Sequence, residues 1–108
     1  MKFAVQGLRL AESLPRTISG QTVARQVARS ATSVAANYRA ALRGKSWADF
    51  AHKITIVLEE ADETVFWIAL CERAGHLPPT DLSALAREAD ELTRIFSATR
   101  RTIRNHQS

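Results

Sequence analysis

Apolar residues recur every three or four positions along most of the chain, the spacing of amphipathic helices. Phe3, Leu8, Ala11 and Leu14 mark a first short stripe. Val23, Val27, Val34, Tyr38 and Ala41 make a second, flanked by Ala24, Ala28, Ala31 and Ala35, small residues that let a neighbouring helix come close. Phe50, Ile54, Val57, Ala61, Thr64 and Ile68 form a third, and Leu82, Leu85, Ala89, Leu92, Phe96, Thr99 and Ile103 a fourth. No stretch alternates with the two-residue period of a strand.

Breakers separate the stripes. Pro15 and the Thr17-Ile18-Ser19-Gly20 segment divide the first from the second. Gly44 stands as a glycine just past the second helix, and Ser46-Trp47-Ala48-Asp49 reads as a capping box opening the third. Gly75 ends that helix and Pro78-Pro79 blocks its continuation, with Thr80 as the cap of the fourth and Asp81 in its first turn. The pattern predicts helices over 2–14, 20–43, 47–74 and 81–104. Their short connections favour antiparallel neighbours, hence an all-α, up-down-up-down four-helix bundle with 1–108 as one domain.

At 108 residues, 45% hydrophobic and 24% charged, the composition is that of a globular domain with one core. A single cysteine, Cys71, rules out a disulfide framework and reads as a small buried hydrophobe. The longest apolar run, Val65 to Cys71, is too short to span a membrane, and the N-terminus lacks the pattern of a secretory signal, so a cytoplasmic protein is expected.

Charge changes the picture more. Residues 1–54 hold nine Lys and Arg against two acids; residues 55–108 hold six against nine. No acid lies between Glu12 and Asp49, and none follows Glu91, a stretch that carries Arg100, Arg101 and Arg104. Such segregation fits complementary faces in an assembly, or a basic surface for an anionic partner.

On helix two, Arg25, Arg29, Arg39 and Arg43 fall within about 40° of one line, opposite the valine stripe. This column, extended by Lys45, Arg100, Arg101 and Arg104, is the candidate surface for the phosphates of RNA or DNA. The competing reading is a solvated face, or pairing with Glu59, Glu60, Asp62 and Glu63 of helix three. No aromatic residue interleaves with the arginines, so binding through the column would be led by the backbone and steeply salt-dependent.

Helix three carries a second apolar face. Ile56, Trp67 and Leu70 lie away from its core seam, with Glu63 among them and Phe66 at the edge. A lone bundle would leave this stripe in water, which predicts a subunit interface and self-association.

Catalysis is not expected. His52, His76 and His106 are scattered, Asp49 is engaged as a cap, and there is no Glu-x-x-His pair of the kind that binds metals in ferritin-like bundles. Neither a Gly-rich phosphate loop nor a nucleophile elbow is present, so no metal or cofactor is expected.

The string Gln26-Val27-Ala28-Arg29-Ser30-Ala31-Thr32-Ser33-Val34-Ala35-Ala36-Asn37-Tyr38-Arg39-Ala40 is more specific than bundle patterning. With Ser46-Trp47-Ala48-Asp49-Phe50-Ala51-His52-Lys53 and Glu59-Glu60-Ala61-Asp62-Glu63-Thr64-Val65-Phe66-Trp67-Ile68, it resembles the bacterial ribosomal-RNA intervening-sequence protein family, generally called four helix bundle proteins. Arg29, Ser30, Ser33, Asn37, Glu60 and Glu63 match the family pattern. Many members have Glu and Gly where Ala40 and Ala41 stand here. The resemblance implies a four-helix bundle assembling as a homopentamer, without assigned enzymatic activity, and, by analogy with a related retroelement accessory protein, nucleic-acid association. Two functions are therefore carried forward: a non-catalytic, oligomeric nucleic-acid adaptor, and a module that binds a partner protein with no nucleic-acid role.

Overall fold

The computed structural model describes the backbone of residues 1–107 and the side chains of residues 1–78 and 82–106. Four helices, α1 (Lys2–Ser13), α2 (Ile18–Leu42), α3 (Trp47–Arg73) and α4 (Pro79–Gln107), follow one another in a bundle about 47 Å long. Each packs on its neighbours in chain order, and α1 closes the square against α4 through the thinnest of the contacts. The backbones of the diagonal pairs α1–α3 and α2–α4 stay apart, and α2 meets α4 through side chains such as Tyr38 and Phe96. No helix among the described residues is long and apolar enough to cross a membrane.

The helix ends follow from local chemistry. Thr17 accepts the Gly20 N–H at 3.1 Å and so caps α2, drawing into its first turn the Ile18-Ser19-Gly20 segment that the breakers assign to a linker. Ser46 accepts the Asp49 N–H at 3.0 Å and caps α3. The end of α3 is a Schellman turn: Gly75 has φ +71, its N–H reaches the Glu72 carbonyl at 3.0 Å and the His76 N–H reaches that of Cys71 at 3.3 Å. Gly44 has no positive φ, and α2 ends at Arg43 with N–H bonds back to Ala40 and Ala41. The expected caps Thr80 and Asp81 lie outside the described side chains; the backbone of α4 begins two residues before the predicted start.

The core joins the buried faces of all four helices: Phe3 and Leu10 from α1 with Leu14 just past its end, Val23, Val27, Ala31 and Val34 from α2, Ile54, Val57, Ala61 and Ile68 from α3, and Leu82, Leu85, Ala89, Phe96 and Ile103 from α4. Two expected core residues are elsewhere. Leu8 is 42% exposed, because α1 buries the line Phe3, Gly7, Leu10 and Leu14, and Gly7, without a side chain, is invisible to an apolar pattern. A Cβ on Gly7 would stand 2.5 Å from that of Ala31, so this glycine sets how closely α1 approaches α2. Tyr38 is 43% exposed, its ring meeting Phe96 edge-on at 5.6 Å, because α1, 12 residues long, does not run beside the last turns of α2.

Cys71 is fully buried, and burial pushes its thiol pKa up. A neutral thiol is therefore compatible with the fold, whereas thiolate formation favours the unfolded chain. The sign is that of a raised acid: stability is intact below the ordinary thiol pKa and declines as alkaline pH ionises the unfolded thiol first. At neutral pH, Cys71 is expected to react with Ellman's reagent at least about 100-fold more slowly than in urea, since reaction needs the core to open. Equal rates in the two conditions would show that the core does not protect it.

Candidate nucleic-acid interface

The seam between α2 and α3 is polar in a specific way. Arg29 is held on three sides: its Nε donates to Gln26 Oε1 at 3.1 Å, Nη1 to Glu60 Oε2 at 2.9 Å, and Nη2 to Glu63 Oε1. Glu63 also accepts the Trp67 Nε1–H at 3.2 Å. Deeper in, Thr64 Oγ1 lies 2.8 Å from Ser30 Oγ and 2.8 Å from the Glu60 carbonyl oxygen, both side chains being fully buried. Each hydroxyl has one proton, so both contacts are satisfied when Thr64 donates to the Glu60 carbonyl and Ser30 donates to Thr64. On the α3 side of α2, Asn37 Nδ2 donates to the Ser33 carbonyl at 2.9 Å and to Ser33 Oγ at 3.0 Å. The motif residues Arg29, Ser30, Glu60 and Glu63 thus meet across one seam, and Ser33 and Asn37 bond to each other within α2 on the side of that helix that Arg29 and Ser30 share. A buried hydroxyl pair has one good partner position, so the seam fixes the register of α2 on α3. The Arg29 cluster is half exposed, and ion pairs of that kind contribute about 0–1 kcal/mol.

This divides the arginine column. Arg29 belongs to the seam, where two carboxylates already occupy its guanidinium. Arg25, Arg39 and Arg43 are exposed and make no ion pair among the described residues. Glu12 shares a shallow groove with Arg25 without bridging to it. Arg25 and Arg43 are 18 positions apart, so the open column runs about 27 Å along α2.

The other cations fall into two places. Lys45 is exposed in the α2–α3 connection, next to Arg43. Arg100, Arg101 and Arg104 are on α4, whose backbone lies diagonally across the bundle from α2, so they form a separate basic patch at the same end of the bundle. Arg101 and Arg104 are exposed and Arg100 is half-buried.

The second face of α3 is more covered than its pattern predicts. Ile56 is half-buried, and Trp67 packs partly against the core while its N–H binds Glu63. Phe66 and Leu70 are the open part, 56% and 41% exposed, with Glu59, Asp62 and Glu72 also exposed on α3. The acids of α3 that pair with α2 are therefore Glu60 and Glu63, while Glu59, Asp62 and Glu72 face outward. Among the described residues no group of three His, Cys, Asp or Glu side chains is placed to hold a metal ion.

One grouping escapes sequence reasoning. Trp47, the first residue of α3, stacks on Phe50 with ring centres 5.7 Å apart and also meets His106 of α4 at 5.9 Å. A tryptophan directly after two basic residues, Arg43 and Lys45, and the cap Ser46 was a signal, but the histidine comes from 59 positions away along the chain.

Fold and seam together define a class: an antiparallel bundle of sequential helices, registered by a polar α2–α3 seam and basic along the outside of α2. The chain belongs to the 23S rRNA-intervening sequence protein family, which matches it over residues 1–98. It is similar to a crystal structure from Bacteroides thetaiotaomicron described as a protein with unknown function from the S23 ribosomal protein family. The two share 29% identity and a TM-score of 0.84, with 92% of each chain covered. No curated protein matches the chain.

Proposed function

We propose that this protein is a non-catalytic, oligomeric scaffold of the cytoplasm that associates with nucleic acid through the outer face of α2. The observation that carries this reading is the separation among the arginines: Glu60 and Glu63 take Arg29, whereas Arg25, Arg39 and Arg43 stand exposed with no ion pair among the described residues. Exposed arginines that make no ion pair with a carboxylate among the described residues suit phosphate oxygens. The family's link to 23S rRNA intervening sequences makes RNA the first probe. Assembly would repeat the column around a ring, turning weak contacts into useful avidity. The exposed Phe66 and Leu70 support self-association, and the homopentamer implied by the family resemblance is the assembly to test by sedimentation.

Binding to RNA and duplex DNA is expected to fall steeply with salt, with a log–log slope near −3 for three phosphate contacts per subunit, and to show little sequence preference. Fluorescence anisotropy between 50 and 200 mM salt, roughly the range over which such binding collapses, measures it. A slope near zero, or no binding at the lowest salt, overturns the reading. The second reading, a module for a partner protein, is favoured by the same Phe66 and Leu70 surface with its acidic surroundings. Partners retained from nuclease-treated lysate by the wild type and lost by Phe66→Asp would support it.

A further inference from the structure

The geometry points to a nucleobase-stacking platform at the end of the bundle where α2 passes into α3, built on Trp47 and serving unpaired bases of a single strand. This rests on the nucleic-acid reading above and adds to it a second site and a preference for single strands. Trp47 leaves 48% of its surface open although it is the first residue of a capped helix and its position is held. Phe50, itself packed against the core, lies nearly parallel to the indole, with 26° between the rings. His106 stands against it at 82°. An indole braced by two rings from two helices loses little freedom when a base stacks on it, and every base offers a flat π face.

The charges around it complete the site. Arg43 and Lys45 are exposed and lie four and two positions before Trp47. Across α2 after residue 35, α3 up to residue 58 and α4 after residue 94, the single acid is Asp49. The environment is positive, so it attracts a phosphodiester and repels a cationic ligand that a tryptophan could otherwise take. The exposed guanidinium of Arg43 and ammonium of Lys45, close to Trp47 along the chain, suit the phosphates that flank a base stacked there. Bases in a duplex have their faces covered by neighbours, so the platform discriminates in favour of single strands.

The test uses the full chain with oligouridylate and oligothymidylate of about a dozen nucleotides, and a duplex of equal length, at low salt. Single strands are expected to quench Trp47 fluorescence, read in Trp67→Phe so that it is the one indole. Trp47→Leu keeps an apolar contact on Phe50 but removes the π face, and should weaken single-strand binding roughly 5- to 100-fold while duplex binding is unchanged. Trp47→Phe should retain most of the affinity, and far-UV circular dichroism checks that both variants are folded. Unchanged single-strand affinity in folded Trp47→Leu, or no quenching at saturation, overturns the platform. If that affinity instead falls only in the Arg25, Arg39 and Arg43 reversal, the backbone reading stands and the platform fails. If neither strand form binds at low salt, both fail.

Discussion

Replacing Arg25, Arg39 and Arg43 together by Glu is expected to weaken binding to nucleic acid roughly 100- to 1000-fold at 0.1 M salt and to flatten its salt dependence by nearly three in log–log slope. Each lost phosphate contact forgoes the release of about 0.9 counterion, and at that salt three such contacts multiply to this range before the added repulsion is counted. The three side chains are exposed and make no ion pair among the described residues, so the reversal breaks no described salt bridge. Arg29→Met supplies the contrast. Its guanidinium is occupied by Glu60 and Glu63, so removing it should leave affinity within about threefold and cost no more than about 1 kcal/mol of stability. Anisotropy titrations with both variants, each checked for assembly by sedimentation, measure the difference. Equal losses in the two would mean that the whole column acts alike and that the seam does not set Arg29 apart.

Gly7→Val is expected to lower stability by about 2–3 kcal/mol, a fall in Tm of roughly 10–20 °C. Even a Cβ at this position would stand 2.5 Å from that of Ala31, and the Val27 side chain and carbonyl lie just beyond. Neither obstacle is the free end of a flexible chain, so α1 must move away from α2, opening the contacts of Phe3, Leu10 and Leu14 with the core. The better helix propensity of a residue with a side chain returns only a few tenths of a kcal/mol. Ala31→Gly in the same background should recover part of the loss by removing the opposing methyl group, and thermal melts of the single and double variants would show it. Melting of Gly7→Val at the wild-type temperature would mean that α1 is not held against α2 in this way.

Much of the fold was legible from spacing. The seams of α3 and α4, the division at Pro15, Gly44 and Gly75, and the order of the helices follow from periodicity and turn chemistry, which act between residues a few positions apart. The misreadings share a cause. Leu8 looked like core because its apolar side chain fits a helical step, while the true contact is made by a glycine chosen for what it lacks. Trp67 looked unpartnered because its hydrogen bond to Glu63 and its packing on the core depend on where helices meet, which angular bookkeeping on one helix does not contain.

The arginine column shows the same boundary most plainly. Sequence alone determined that helix two is basic along one line and that the acids are concentrated in helix three, because both are matters of composition and a 100° step. It left a solvated face, a salt-bridged face and a phosphate-binding face all open, with the first two together favoured over the third. Only the tertiary structure separated the arginines residue by residue, since the register of the Ser30–Thr64 hydroxyl pair goes with Glu60 and Glu63 on Arg29 and leaves Arg25, Arg39 and Arg43 open. Likewise, only the packing of α4 beside α3 could bring His106 to Trp47. Periodicity reports which way a side chain points from its own helix; what it meets there is fixed by the position and register of another.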